Sequence, residues 1–334
     1  MKDNDYGSLN VTIRAQENKL LKQGHFDRMI AAESYDDAVN ILRETVYRND
    51  VDDIKESRDY DLMLTHELER VYQEMFTSTP NPELVEYAAL RYTYHNLKVL
   101  FKEEFADQNF SDLYINIGRF SIQSLRRAIK EEQSDLLPEE YLQSISEVKA
   151  QLEESKQAYA IDVILDRHYF DHLKSLADRL GIEDIINLVK QEADYFNIST
   201  AIRASKQGHN RNFIDGILTE VGYLDKEKLV SSAGLGLSEL ERYLRTSSYR
   251  SLVESATDSD NNEVSAIKVD QLTDDAYMKK MREAKLQAFG PLPTIAYIHA
   301  KEVEVTNLRL VLAGKENGID ADTIRERMRL NYGQ

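Results

Sequence analysis

Between Ile161 and Leu180 the apolar positions Ile161, Ile164, Leu165, Tyr169, Leu173, Leu176 and Leu180 recur every three or four residues, and Gly181 follows at once. That spacing places them on one face of an α-helix, and a glycine just past the last turn is where a helix commonly ends in a left-handed conformation. A second helix is predicted from near Glu183, continuing through Leu188, Val189, Ala193, Phe196, Thr200 and Ala201. The 5 prolines occur in three places, Pro80/Pro82, Pro138 and Pro291/Pro293, each ahead of a long run of helical period. Proline's fixed φ and missing N–H suit a helix entry and break an interior. Strand-like alternation is scarce, so the chain reads as all-α, with glycines and acidic clusters marking the loops.

An internal repeat carries more information. Three long helices hold an Asn with an aliphatic residue directly after it and an apolar residue five positions on: Asn96-Leu97 with Phe101, Asn197-Ile198 with Ile202, and Asn307-Leu308 with Leu312. The three lie about a hundred residues apart, near the usual domain size. A weaker echo links 41–47 (Ile41-Leu42-Arg43-Glu44-Thr45-Val46-Tyr47) with 243–249 (Tyr243-Leu244-Arg245-Thr246-Ser247-Ser248-Tyr249). Three helical units would follow, at 1–108, 109–208 and 209–334. The Asn helices are apolar around much of their circumference, as in Ile295, Ala296, Ile298, Val303, Val305, Leu308 and Val311. Such a helix is buried on several sides or lies at an interface.

Charge and composition narrow the class. Among 334 residues, 59 Asp and Glu outweigh 42 Lys and Arg, for a net charge of −17. This balance disfavours the phosphate contacts that dominate nucleic-acid affinity and repels an anionic lipid leaflet. Neither Cys nor Trp occurs, which excludes a disulfide framework, a Cys-ligated metal and a thiol nucleophile. The opening Met1-Lys2-Asp3-Asn4-Asp5 lacks a signal peptide's apolar core, and no apolar run is long enough to span a bilayer. The expectation is a cytoplasmic chain. Acid crowds two stretches, Asp50 to Asp61 and Asp258, Asp260, Glu263, Asp270, Asp274 and Asp275, whereas residues 301–334 hold equal numbers of acids and bases.

Motifs for catalysis fail on their own chemistry. His168 and His172 share a helical face at i and i+4, but Tyr169 stands where a zinc protease needs a general-base Glu. A solvated helix edge is the simpler reading. Gly314-Lys315 lacks the earlier glycine and the following hydroxyl of a phosphate loop, since Arg309 and Glu316 occupy those positions. Gly234-Leu235-Gly236 lacks a third glycine, because Glu239 is there. Asp52-Asp53-Ile54-Lys55-Glu56 could form half of a magnesium–diphosphate site, but no second acidic motif completes it. No cofactor, metal or catalytic residue is expected.

The stretch from Pro291-Leu292-Pro293-Thr294 through Asn307-Leu308-Arg309-Leu310-Val311-Leu312-Ala313-Gly314-Lys315 resembles the closing signature of the C subunit of bacterial and archaeal V-type (A/V-type) ATPases, equivalent to the eukaryotic d subunit. The ending Ile324-Arg325-Glu326-Arg327-Met328-Arg329-Leu330 and the opening Asn10-Val11-Thr12-Ile13-Arg14 are similar to that family as well. The resemblance implies three similar helical-bundle domains in a pseudo-threefold funnel. It also implies a non-catalytic rotor part on the cytoplasmic side of the membrane, seated on the membrane rotor ring and holding the central shaft, built of the D and F subunits, in its socket. Under that reading the Asn helices line the socket, with Asn96, Lys98, Asn197, Arg203, Asn307 and Arg309 as shaft contacts. The alternative is that the Asn side chains hydrogen-bond neighbouring segments inside each unit. Away from the resemblance, a generic helical scaffold and a magnesium-dependent diphosphate enzyme are the competing readings.

Overall fold

The computed structural model describes residues 3–259 and 262–332, so Met1, Lys2 and Asp260 lie outside the described residues. Helices account for nearly all the regular structure. They are α1 Gly7–Glu17, α2 Gln23–Ala31, α3 Tyr35–Ile41, α4 Val51–Ser57, α5 Tyr60–Ser78, α6 Pro82–Ala106, α7 Ile122–Glu131, α8 Glu139–Ser155 and α9 Tyr159–Leu180. After these come α10 Glu183–Lys206, α11 Arg211–Ile217, α12 Lys226–Leu235, α13 Leu237–Arg245, α14 Arg250–Ala256, α15 Ala266–Glu283, α16 Leu292–Glu316 and α17 Ala321–Arg327. Among the described residues the extended pairing is one bridge, Thr257 with Val264.

The chain's own signals set the helix boundaries. α9 ends on Gly181 at φ +64°, as its period and glycine require, and α10 starts at Glu183. Pro82 opens α6, Pro138 precedes α8, and Pro291 and Pro293 flank the first residue of α16. Side-chain oxygens of Ser34, Asp59, Ser121, Asn210, Asp225 and Asp320 each accept a hydrogen bond from a backbone N–H in the first turn of the following helix, satisfying a donor the helix leaves open.

Acidic clusters do not mark loops as the sequence suggested. The stretch from Asp50 to Asp61 contains all of α4 and the start of α5, and Asp270, Asp274 and Asp275 lie on α15. Several of these acids are engaged: Asp59 caps α5, Asp52 pairs with Arg43, and Asp274 pairs with Arg329.

The chain divides into two compact units, Met1–Ala88 with Asp274–Gln334, and Ala89–Thr273. In the first, α16 is the central element and packs on α5, α1, α3 and α2. It is buried on nearly every side from Leu292 to Leu308, as its all-round apolar pattern predicts. Several of the polar residues near its middle are paired inside the unit. The Lys301 side chain is 2% exposed, and its ammonium reaches Glu304 at 2.7 Å and Glu67 at 3.1 Å. Burial pulls the Lys301 pKa down, but Glu304 and Glu67 outweigh it and the net shift is upward. Glu304 also accepts from the Tyr47 hydroxyl at 2.8 Å and the Leu21 backbone N–H at 2.5 Å. Within 301–334 Lys301 pairs with Glu304 and Arg325 with Asp322, while Arg329 pairs with Asp274 on α15.

In the second unit α9 packs between α8 and α10, and α10 lies over α11, α12 and α13. Ile198, Ile202, Ile214, Leu229, Leu240 and Val253 form the core there. His172 is 1% exposed, set edge-on to Tyr141 at 4.6 Å between ring centroids, with Nδ1 3.3 Å from the Tyr94 hydroxyl. Burial pushes its pKa down to about 4, against about 6.5 in an unfolded chain. Because the unfolded state binds the proton more readily, stability falls as pH drops through that window. The loss approaches about 3 kcal/mol at the acid end, and His172→Phe should flatten this slope in urea titrations at pH 4 to 7.

Candidate partner interface

The three repeated asparagines build the same local frame. Asn96, Asn197 and Asn307 are 2%, 1% and 0% exposed, midway along α6, α10 and α16. Asn96 Nδ2 donates to the Ile115 carbonyl at 2.7 Å, while the Ile115 N–H donates to Asn96 Oδ1 at 3.0 Å. Asn197 makes the same pair with Thr219 at 2.8 and 2.9 Å, and Asn307 with Arg329 at 3.0 and 2.9 Å. A primary amide is the side chain that can copy a backbone's donor and acceptor, so each Asn holds a passing extended segment as a neighbouring strand would. Leucine or aspartate could not.

The frames agree beyond the asparagine. Eleven positions after it, Asp107, Gly208 and Gly318 take positive φ of 51°, 72° and 66°. The next N–H in each case reaches back five residues, from Gln108 to Glu103, His209 to Ala204 and Ile319 to Gly314. This is the wrap that stops a helix and turns the chain back. One residue further, the side chains of Asn109, Asn210 and Asp320 each accept from a backbone N–H just ahead.

The sequence echo between 41–47 and 243–249 has a structural counterpart. Thr45 Oγ1 donates to the Leu42 carbonyl and accepts from the Tyr47 N–H; Ser247 Oγ does the same with Leu244 and Tyr249. Each tyrosine then donates its hydroxyl to the acid three residues before an Asn: Tyr47 to Glu304, and Tyr249 to Asp194 at 2.7 Å. Asp194 also accepts from the N–H groups of Tyr223 and Leu224. Burial raises the pKa of Asp194, and the hydrogen bonds pull it partly back. In the first frame Thr93 holds the equivalent place. A Cβ on Gly118 would lie 2.8 Å from its hydroxyl, and one on Gly222 would lie 2.0 Å from Asp194 Oδ1, so both segments pass too close for a side chain.

Two residues past each Asn, a side chain reaches an aspartate on another helix. Lys98 donates to Asp166 on α9 at 2.5 Å, Ser199 to Asp270 on α15 at 2.6 Å, and Arg309 to Asp61 on α5 at 2.6 Å. Arg203, one turn beyond Ser199, donates to both Ser199 and Asp270. Lys102 and Lys206 extend the seam to Asp162 and Glu263. Arg203 and Arg309 are about half-exposed, at 48% and 46% of the side chain, and Lys98 is partly buried at 22%.

Of the six residues singled out from sequence, the three asparagines face inward, each with its amide paired to a backbone segment. The three cations stand at the solvent edge of the same helices. The aspartates that answer them, and the Tyr47–Glu304 and Tyr249–Asp194 pairs, had no signal in the local pattern beyond the 41–47 echo. His168 bonds Glu147 at 2.8 Å while His172 turns into the interior, so the two imidazoles have different surroundings. Asp52 is bound to Arg43, and Gly314 is packed under Ile324 inside α16. Among the described residues no group of His, Asp and Glu has the geometry to hold a metal ion, and no helix is long and apolar enough to cross a membrane.

Residues 9–327 match the family described as the ATP synthase (C/AC39) subunit. The chain is 34% identical over 328 residues to the C subunit of the V-type sodium ATPase of Enterococcus hirae, covering 98% of this chain and 99% of that protein. It is also 22% identical over 340 residues to the C subunit of the A-type ATP synthase of Methanocaldococcus jannaschii, covering 96% and 85%. A third relative, the C subunit of the A-type ATP synthase of Thermococcus kodakarensis, is 22% identical over 96% of this chain and 89% of its own length. An all-helical chain with three matching asparagine frames and a near full-length match thus belongs to the C/AC39 subunit family of V/A-type ATPases, as a non-catalytic part of a rotary, ion-transporting complex.

Proposed function

We propose that this chain is the adaptor of the central rotor, joining the D and F subunits of the shaft to the membrane rotor ring on the cytoplasmic side. The observation that carries the proposal is the threefold recurrence of the asparagine frame with its ion-paired outer edge. An adaptor that passes torque must not yield between its two attachments. Each frame fixes a chain segment by two buried hydrogen bonds, and each edge ties one long helix to another by charge-assisted contacts. Three similar helical units, at 1–108, 109–208 and 209–334 in a pseudo-threefold funnel, are the arrangement this recurrence favours. The sequence relation to C-subunit proteins supports the same role.

Within that role the cations Lys98, Arg203 and Arg309, at the edge of their helices, are the groups that meet the shaft, and Asn96, Asn197 and Asn307 hold their helices in place. Arg309→Glu should weaken binding to a purified D–F shaft at least several-fold. Its effect on stability should stay within about 1 kcal/mol, because the Arg309–Asp61 pair is exposed. Unchanged affinity in a titration against the shaft would remove Arg309 from the interface. Absence of any shaft binding by the unmodified chain would remove the adaptor role.

A further inference from the structure

In the first unit, the link between α1 and α2 and the turn after α3 border an open hollow of about 800 Å³. We propose that this hollow docks an acidic, amphipathic segment of a protein partner. Lys19, Lys22 and Arg48 stand exposed around it, and none of them forms an ion pair among the described residues. That is unusual in a chain with a net charge of −17, where exposed cations mostly find carboxylates. Two of the three acids lining the hollow are already engaged, Glu44 by Arg28 and Glu67 by Lys301 and Arg70. Asp50 alone is left to oppose three free cations. The hollow between α7 and α8 is the contrast: Glu131, Glu132, Asp135, Glu139 and Glu147 line it against Arg127.

The frame around the cations is fixed before anything binds. Leu21 is tied through its N–H to Glu304, the Lys22 N–H donates to His25 Nδ1, and Thr45 closes the turn that leads to buried Tyr47. Preorganisation of this kind lowers the ordering cost of association. Half-buried Leu20 and Val46 lie beside the charges and can take an apolar side chain between two carboxylates. A small free anion fits less well, because the cations sit on separate segments at the rim and none converges as a buried donor. A bilayer fits less well again: it cannot enter a concavity, and a chain with a net charge of −17 is repelled by an anionic leaflet.

The docking proposal stands apart from the rotor reading, since its probe is a free peptide. The full chain is titrated with a fluorescein-labelled peptide rich in Glu and Leu, followed by anisotropy at low and moderate salt. Binding should weaken with salt and fall at least tenfold in the Lys19→Glu/Lys22→Glu/Arg48→Glu variant. Reversing Lys130 and Lys156, exposed cations outside the hollow, should change it less than twofold. A thermal melt of each variant, with the milder Lys19→Gln/Lys22→Gln/Arg48→Gln set beside it, separates lost docking from lost folding. Equal peptide affinity in the hollow and control variants overturns the proposal. Sedimentation with phosphatidylserine vesicles that the hollow variant abolishes also overturns it, in favour of a lipid surface.

Discussion

Replacing Lys301 by Met should cost the protein about 3–5 kcal/mol, the usual penalty for leaving buried carboxylates without their cation. The side chain is among the largest that are fully buried, and it is the ammonium that faces both Glu67 and Glu304. Arg70 still contacts Glu67 from outside, so the stranded charge is mainly that of Glu304, itself 3% exposed. The Tyr47 hydroxyl and the Leu21 N–H remain as donors but carry no positive charge. Urea denaturation of Lys301→Met, Glu304→Gln and the double variant forms a cycle. The double variant should be clearly more stable than the sum of the single losses predicts, because removing both partners leaves no uncompensated charge. Simple additivity would mean that the two groups act independently despite their contact.

Asn197→Leu ranks second, with an expected loss of about 2–4 kcal/mol. The substitution is close in size, yet it removes a donor and an acceptor and leaves the Thr219 N–H and carbonyl buried without partners, each costing about 1–3 kcal/mol before local relaxation. Asn197→Asp keeps the acceptor for the Thr219 N–H but sets a carboxylate against the Thr219 carbonyl, and should be no better near neutral pH. Hydrogen exchange gives the sharper reading. Protection at Thr219 should collapse in the Leu variant more than protection at Ile198 or Ile202, which are packed by apolar contacts. Comparable losses in Asn96→Leu and Asn307→Leu would mark the three frames as equivalent, as their shared hydrogen bonds suggest.

Helices were legible in the sequence wherever burial is one-sided or punctuated, as with α9 and its closing Gly181, because a 3.6-residue period follows directly from which face is dry. The asparagine repeat was legible as a pattern, but its purpose was not. Each partner lies nineteen or twenty-two residues downstream in a segment without hydrophobic period, and nothing local announces that Ile115, Thr219 or Arg329 will be the one held. The cations Lys98, Arg203 and Arg309 could be picked out as polar groups on apolar helices. Their aspartates on α9, α15 and α5 could not, since an ion pair leaves no trace of its register in either stretch of sequence. Acidic runs misled for the same reason. Asp270 and Asp274 look like solvated loop residues until the arginines 67 and 55 positions away are seen to meet them.

The central claim is that this chain bridges shaft and ring. The direct measurement is capture of the purified D–F shaft on immobilised rotor ring, with the chain present and absent. The adaptor account predicts that shaft is retained only when the chain is added, in stoichiometric amount. Equal retention of shaft without the chain, or retention of the chain by neither component, would contradict it.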